Sequence, residues 1–213
     1  MVFLPKPGDA HVLDLFSLKG QVAVVTGQYH PHPIISLYHS LISSLTYKGG
    51  NRGIGLEVVK AFAEAGASIA IIYRSSSSAH ETASKLSSQH GTTIRAYQCD
   101  VSDESAVDKV FDDVVKDFSK IDILVANAGI CYTVAAEDMT SQQFRSEMGV
   151  NFDGPWFCAR SASRYFKKQR SGNVIFTTSI SGMIVNIPDK QAIVCPIPRI
   201  LPFDLAMADV RKV

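Results

Sequence analysis

From residue 21 onward, short β-branched runs alternate with amphipathic stretches. Residues 22–26 (VAVVT) are apolar at nearly every position, as a strand covered on both faces of a parallel sheet must be. Residues 54–65 (IGLEVVKAFAEA) predict a helix with Val58, Phe62 and Ala65 on its buried stripe and Gly66 as its stop. Residues 68–73 (SIAIIY) predict a second strand, 79–89 a polar helix ending near Gly91, and 93–99 a third strand. In residues 103–118, Val107, Val110, Phe111, Val114, Val115 and Phe118 recur at helical spacing, with Asp and Lys on the opposite face. Residues 122–126 (DILVA) predict a fourth strand, 141–169 a long helix, and 173–178 (NVIFTT) a fifth strand.

Strands alternating with helices at this spacing imply βαβ units, right-handed crossovers and a doubly wound, Rossmann-like α/β sheet. A chain of 213 residues fits one such domain. Two segments break the pattern. One is 28–49; the other is 192–213, which holds Pro196, Pro198 and Pro202 and shows no period.

Composition narrows the function without naming it. A formal net charge of +1 gives no electrostatic pull toward nucleic acid or an anionic membrane surface, so neither is expected as a partner. Cys99, Cys131, Cys158 and Cys195 form no Cys-x-x-Cys pair, which argues against zinc or a disulfide framework and fits a reducing compartment. The opening MVFLPKPGDAHVLDL has prolines and an Asp where a signal peptide keeps an apolar core, and residues 34–45 are too short to span a bilayer. A cytoplasmic protein is the expectation.

The chemistry begins at Gly50-Asn51-Arg52-Gly53-Ile54-Gly55, which opens the first helix. Glycines let a backbone turn sharply and approach a phosphate with no Cβ in the way, and the helix end behind them offers free N–H groups. Thr26-Gly27 closes the first strand, and removing 28–49 gives VAVVTG-GNRGIG, a continuous strand–loop–helix string. That string resembles the TGxxxGxG loop of the short-chain dehydrogenases/reductases. Asp100-Val101 resembles the family's acidic residue after the third strand, which contacts the adenine; Asn127-Ala128-Gly129 resembles its NAG motif near the cofactor. Asn151 in VNFDGPWF is similar to the Asn that organises a catalytic water, and Ser179 in TTSISG to the active-site Ser. The resemblance spans about 13–191 apart from 28–49. Within the family, AYQCDVSD, DILVANAG and SISGMIVNIP look most like fungal NADP-dependent mannitol dehydrogenases and sorbose (ketose) reductases.

The resemblance implies a cofactor site formed by Thr26, Gly27, Asn51, Arg52, Gly53, Ile54, Gly55, Arg74, Asp100, Val101, Asn127, Ala128 and Gly129. It implies catalytic roles for Ser179 and Asn151, with a small carbonyl or alcohol as substrate and a homo-oligomer through the helix at 141–169. Cofactor choice has a physical basis. An acid after the second strand would accept from a ribose diol and repel a 2′-phosphate, but this strand ends Ile72-Tyr73-Arg74-Ser75-Ser76, with no acid until Glu81. Arg74 and Arg52 together offer guanidinium forks for that phosphate, so NADP(H) is expected over NAD(H).

The family's acid/base is a Tyr with a Lys four residues on, the Lys lowering the Tyr pKa. It belongs near 192–194, where this chain reads QAIVCPIPRILPF; no Tyr follows Tyr165, and none of the seven has Lys at the fourth position after it. The family's later strands and substrate-closing segment are also missing from the pattern. The sequence therefore predicts an incomplete Rossmann domain lacking its catalytic end. Three readings stay open: an NADP(H)-dependent oxidoreductase interconverting a ketone and a secondary alcohol, a non-catalytic relative that binds nucleotide or dimerises, or a nonfunctional, mis-spliced product.

His30, His32 and His39 lie in 28–49 with no acidic or thiol partner nearby, so no metal site is expected. A loop longer by these residues costs on the order of 1–2 kcal/mol, too little to unfold a domain. The expectation is that 28–49 is a translated intron or gene-model error inside an intact motif, and that 192–213 is a second splice or frame error. Recovering the tryptic peptide 20–48 from native protein would refute the first.

Overall fold

The computed structural model describes residues 12–27, 53–132 and 134–179. The segments 28–49 and 192–213, and with them the insert and tail expectations, lie outside the described residues, as do Asn51, Arg52, His30, His32 and His39.

Five strands form one parallel sheet in the order β3-β2-β1-β4-β5. They are β1 (Val22–Thr26), β2 (Ser68–Tyr73), β3 (Ile94–Gln98), β4 (Ile123–Ala126) and β5 (Asn173–Phe176). The helices are α1 (Gly53–Glu64), α2 (Ala79–His90), α3 (Glu104–Phe118), α4 (Ser141–Met148) and α5 (Gly154–Gln169). This is the doubly wound, Rossmann-like α/β fold that the alternation predicts. In register, Val25 faces Ile71 on one side and Val125 on the other, so β1 is central. Strand order runs one way from β1 to β3 and the other way from β4 to β5, which leaves a crevice at the carboxyl ends of β1 and β4.

The two-residue period of the strands divides the core in two. Ala23, Val25, Ile69 and Ile71 pack under α1 and α2 with Val59, Ala63 and Leu86. Val24, Ala70, Ile72 and Leu124 pack under α3 and α5 with Phe111, Val114, Ala159 and Phe166. Burial on both faces is why β1 and β4 read as unbroken apolar runs. Strand β5 differs: it is the outermost strand described on its side, and Ile175 stands exposed.

Two helices depart from the sequence reading. The buried line of α1 is Gly55, Val59 and Ala63, while Val58 and Phe62 are only partly buried beside it. Smaller residues occupy the line nearest the sheet because α1 crosses close to β1 and β2, and the larger ones fill its flanks. The helix expected over 141–169 is three pieces, with a π-helical turn at Gly149–Asp153 between α4 and α5. Asp103 caps α3 by accepting from the Ala106 N–H at 3.0 Å, and Thr140 with Gln143 forms a capping box on α4. Helix α5 is tied to α3 by Arg160 on Glu104 and Asp108, Arg164 on Asp108, Ser161 on Asp108 and Tyr165 on Asp112.

Candidate functional site

The carboxyl edge of the sheet gathers most of the sequence-predicted residues. At the end of β1, the Thr26 hydroxyl accepts from the backbone N–H groups of Asn127 at 3.1 Å and Ala128 at 3.2 Å. Thr26 is 1% exposed, and its hydroxyl fastens the β4 exit to the β1 exit. Gly27 then donates its N–H to the Ile72 carbonyl at 3.2 Å. At the opposite, amino edge, Asp122 does a matching job that the sequence does not reveal: its Oδ2 accepts from the Val22 N–H at 2.8 Å and pairs with Lys120 at 2.9 Å. β1 and β4 are thus tied to each other at both ends.

Helix α1 begins at this edge. Gly53, the first residue of α1, has a φ of +60°, which a residue with a side chain rarely adopts. Gly55 is buried against the sheet, whereas Ile54 is 43% exposed. The first-turn N–H groups of any helix have no intrahelical partner, so this end favours an anion.

The segment after β4 is fixed from two sides. The Asn127 Oδ1 accepts from the Thr177 hydroxyl at 3.2 Å. Asn151 holds the backbone of Ile130 in both directions: its Oδ1 accepts from the Ile130 N–H at 2.8 Å, and its Nδ2 donates to the Ile130 carbonyl at 2.7 Å. A Cβ on Gly129 would lie 3.5 Å from that Oδ1, so the two segments are in close contact. Asn151 occupies the π-helical turn, where one extra residue per turn aims its amide at residues 129–130 and not along the helix. Its amide is therefore a positioning group. Ser179 lies three residues beyond β5, half-buried.

Arg74 leaves the end of β2 and Asp100 the end of β3. The Arg74 Nη1 stands 3.6 Å from the Asp100 Oδ2, and both side chains are partly exposed. Val101 turns inward into the core under α3 and α5. A Cβ on Gly154 would lie 2.9 Å from Val101 Cγ2, so the start of α5 fits only without a side chain there. Ala128 also joins this core, which leaves the side chains of Arg74, Asp100 and Asn127 to face outward along the edge.

Beneath the same segment lies Glu147, which sequence reasoning passed over. It is 1% exposed, and neither carboxylate oxygen has a hydrogen-bond partner. Burial pushes its pKa up to about 7. The one signal for it was its place a helical turn before Asn151. Among the cysteines, burial pushes Cys99 up to about 12 and Cys158 higher still, so both behave as core side chains. Among the described residues, no group of three or more His, Cys, Asp or Glu is placed to hold a metal ion, and no helix is long and apolar enough to cross a membrane.

Comparison with known proteins fits this geometry. Residues 45–189, more than half of the chain, match the short chain dehydrogenase family. The chain belongs to that family. Its matched span begins after β1, yet the structure sets β1 at the centre of the sheet, in register with β2 and β4. This short-chain dehydrogenase is 40% identical to a sorbose reductase of Candida albicans, over 86% of this chain and 58% of that protein. It is 34% identical to an NADP-dependent mannitol dehydrogenase of Alternaria alternata, over 87% of this chain and 63% of that protein. The chain thus spans about three-fifths of the length of these relatives. An NADPH-dependent 3-quinuclidinone reductase from Rhodotorula rubra superposes with a TM-score of 0.71 at 31% identity, covering 88% of this chain and 65% of its own.

Proposed function

We propose that this short-chain dehydrogenase binds NADP(H) along the carboxyl edge of its sheet and belongs to an oxidoreductase that interconverts a ketone and a secondary alcohol. The observation that carries the reading is Arg74: a guanidinium at the end of β2, where an acid would select the unphosphorylated ribose. The relatives that act on sorbose and mannitol support a sugar or polyol as the substrate class. Gly27 and the α1 start at Gly53, Ile54 and Gly55 would hold the pyrophosphate, and Arg74 the 2′-phosphate. Asp100 would lie by the adenine, and Asn127, Ala128 and Gly129 beside the rest of the cofactor. Ser179 would hydrogen-bond the reacting oxygen. The bound cofactor supplies the hydride.

A second reading has its own observation: within these 213 residues no Tyr has Lys at the fourth position after it. Binding without turnover by this chain follows from that. A homo-oligomer through residues 141–169 finds support in the exposed Phe144 and Trp156.

Thermal denaturation of the 213-residue chain with NADPH and with NADH tests the reading. At a hundredfold excess over Kd, NADPH should stabilise by about 2.7 kcal/mol, and NADH by less at the same concentration. A variant lacking 28–49 should bind NADPH more tightly, because Gly27 is then joined to Gly50 and the loop reads TGGNRGIG without interruption. No shift in either protein at millimolar NADPH would reject the cofactor site. Oxidation of NADPH with fructose or sorbose would reject the second reading.

A further inference from the structure

Resting on that cofactor reading, we propose that Asp100 sets the preference for the 2′-phosphate by competing with it for Arg74. Each member of the pair is fixed on its inner side. The Asp100 Oδ1 accepts twice from Ser102, from its N–H at 3.0 Å and its hydroxyl at 2.7 Å, which leaves Oδ2 directed at the Arg74 Nη1 3.6 Å away. The Asp103 N–H donates to the Asp100 carbonyl at 3.1 Å, so the backbone of Asp100 is held in a tight turn. On the other strand, Gln98 Nε2 donates to the Arg74 carbonyl at 2.9 Å, and the Cys99 N–H donates to the Tyr73 carbonyl at 2.8 Å. The β2 and β3 exits are thereby stapled together, and the two opposite charges face each other across the staple.

A 2′-phosphate arriving at Arg74 meets a guanidinium that already has a counter-ion, and it meets that counter-ion as a like charge. An NADH ribose carries no such charge and is indifferent to the contest. Asp100, whose place by the adenine is common to both cofactors, therefore weakens NADPH relative to NADH, which narrows the gap between the two. The contact is long and partly exposed, so its weight is that of a surface pair, enough for a few-fold effect and sensitive to salt.

The test is Asp100→Asn in the 213-residue chain, read by calorimetric titration with NADPH, NADH and adenosine 2′,5′-bisphosphate. Asparagine keeps an oxygen for Ser102 and replaces the charged acceptor facing Arg74 with a neutral amide. The expected result is an about two- to fivefold gain in affinity for the two 2′-phosphate ligands relative to NADH at low salt, shrinking at 0.5 M salt. In an Arg74→Ala background the gain from Asp100→Asn should largely disappear. Asp100→Ser serves as the second variant and should shift the preference the same way. An unchanged NADPH to NADH ratio in both variants overturns the inference alone. A gain that persists undiminished without Arg74 also overturns it, since repulsion and not competition would be at work. Binding of none of the three ligands by parent or variant overturns the cofactor reading and the inference with it.

Discussion

Replacing Glu147 with Met is expected to make the protein more stable by about 3 kcal/mol at pH 8, and to flatten its dependence on pH. The native carboxyl has a pKa raised to about 7 against an ordinary 4.5, chiefly because burial penalises the charged form. The folded state then binds the proton more tightly than the unfolded chain does. Stability is free of the penalty below about pH 4.5, is lost as pH rises from there to about 7, and stays low above it. Methionine has nearly the same length and no charge, so it fills the space without the orphaned oxygens. Glu147→Gln should recover only part of the gain, since its amide is buried as poorly partnered as the acid. Urea denaturation at pH 5 and pH 8 checks this: parent and Met variant should differ far more at pH 8. Equal differences at both values would show that the carboxyl does not titrate in the folded protein.

Asn151→Ala is expected to lower stability by about 2–3 kcal/mol and to weaken NADPH binding as well. Two hydrogen bonds disappear, and the N–H and carbonyl of Ile130 lose their partner in a part-buried place. Asn151→Asp separates the two halves of the contact. Aspartate still accepts from the Ile130 N–H, but when ionised it sets a negative oxygen against the Ile130 carbonyl that Nδ2 now serves. The Asp variant should therefore be less stable than the parent at pH 7 and recover toward it in acid, where the protonated carboxyl donates. The Ala variant should show no such recovery. Denaturant midpoints across pH 4–7 distinguish them, and parallel behaviour of the two variants would remove Asn151 as the anchor of this segment.

Much of the fold was written in the buried strands. Runs such as VAVVT and SIAIIY are covered on both faces and have no other stable place, so the strands and the helices between them followed from pattern alone. Finer packing was less legible. In α1 the choice between the Val58–Phe62 stripe and the Gly55–Val59–Ala63 line depends on how closely the helix approaches the sheet, which periodicity does not encode. The break at Gly149–Asp153 leaves only its first residue, Gly149, and the following Gly154-Pro155 as traces in the sequence.

At the site, the motif residues sort into those that face the edge and those that build it. Thr26, Val101 and Asn151 each spend their side chain on the protein itself, a distinction no spacing reveals. The Arg74–Asp100 pair joins residues from two different strands, and Asp122 reaches back to Val22. Contacts of that range become visible only once the strands are placed.

The central claim is that the carboxyl edge of this sheet is the NADP(H) site. Its most direct measurement is a map of backbone amide shifts in the isotope-labelled 213-residue chain as NADPH is added. The predicted result is movement at Gly27, Gly53, Ile54, Gly55, Arg74, Asp100 and residues 127–129, with Arg74 moving more for NADPH than for NADH. Shifts confined to the groove lined by His80, Ser84, Arg95 and Tyr97 would contradict it, as would no shift at millimolar NADPH.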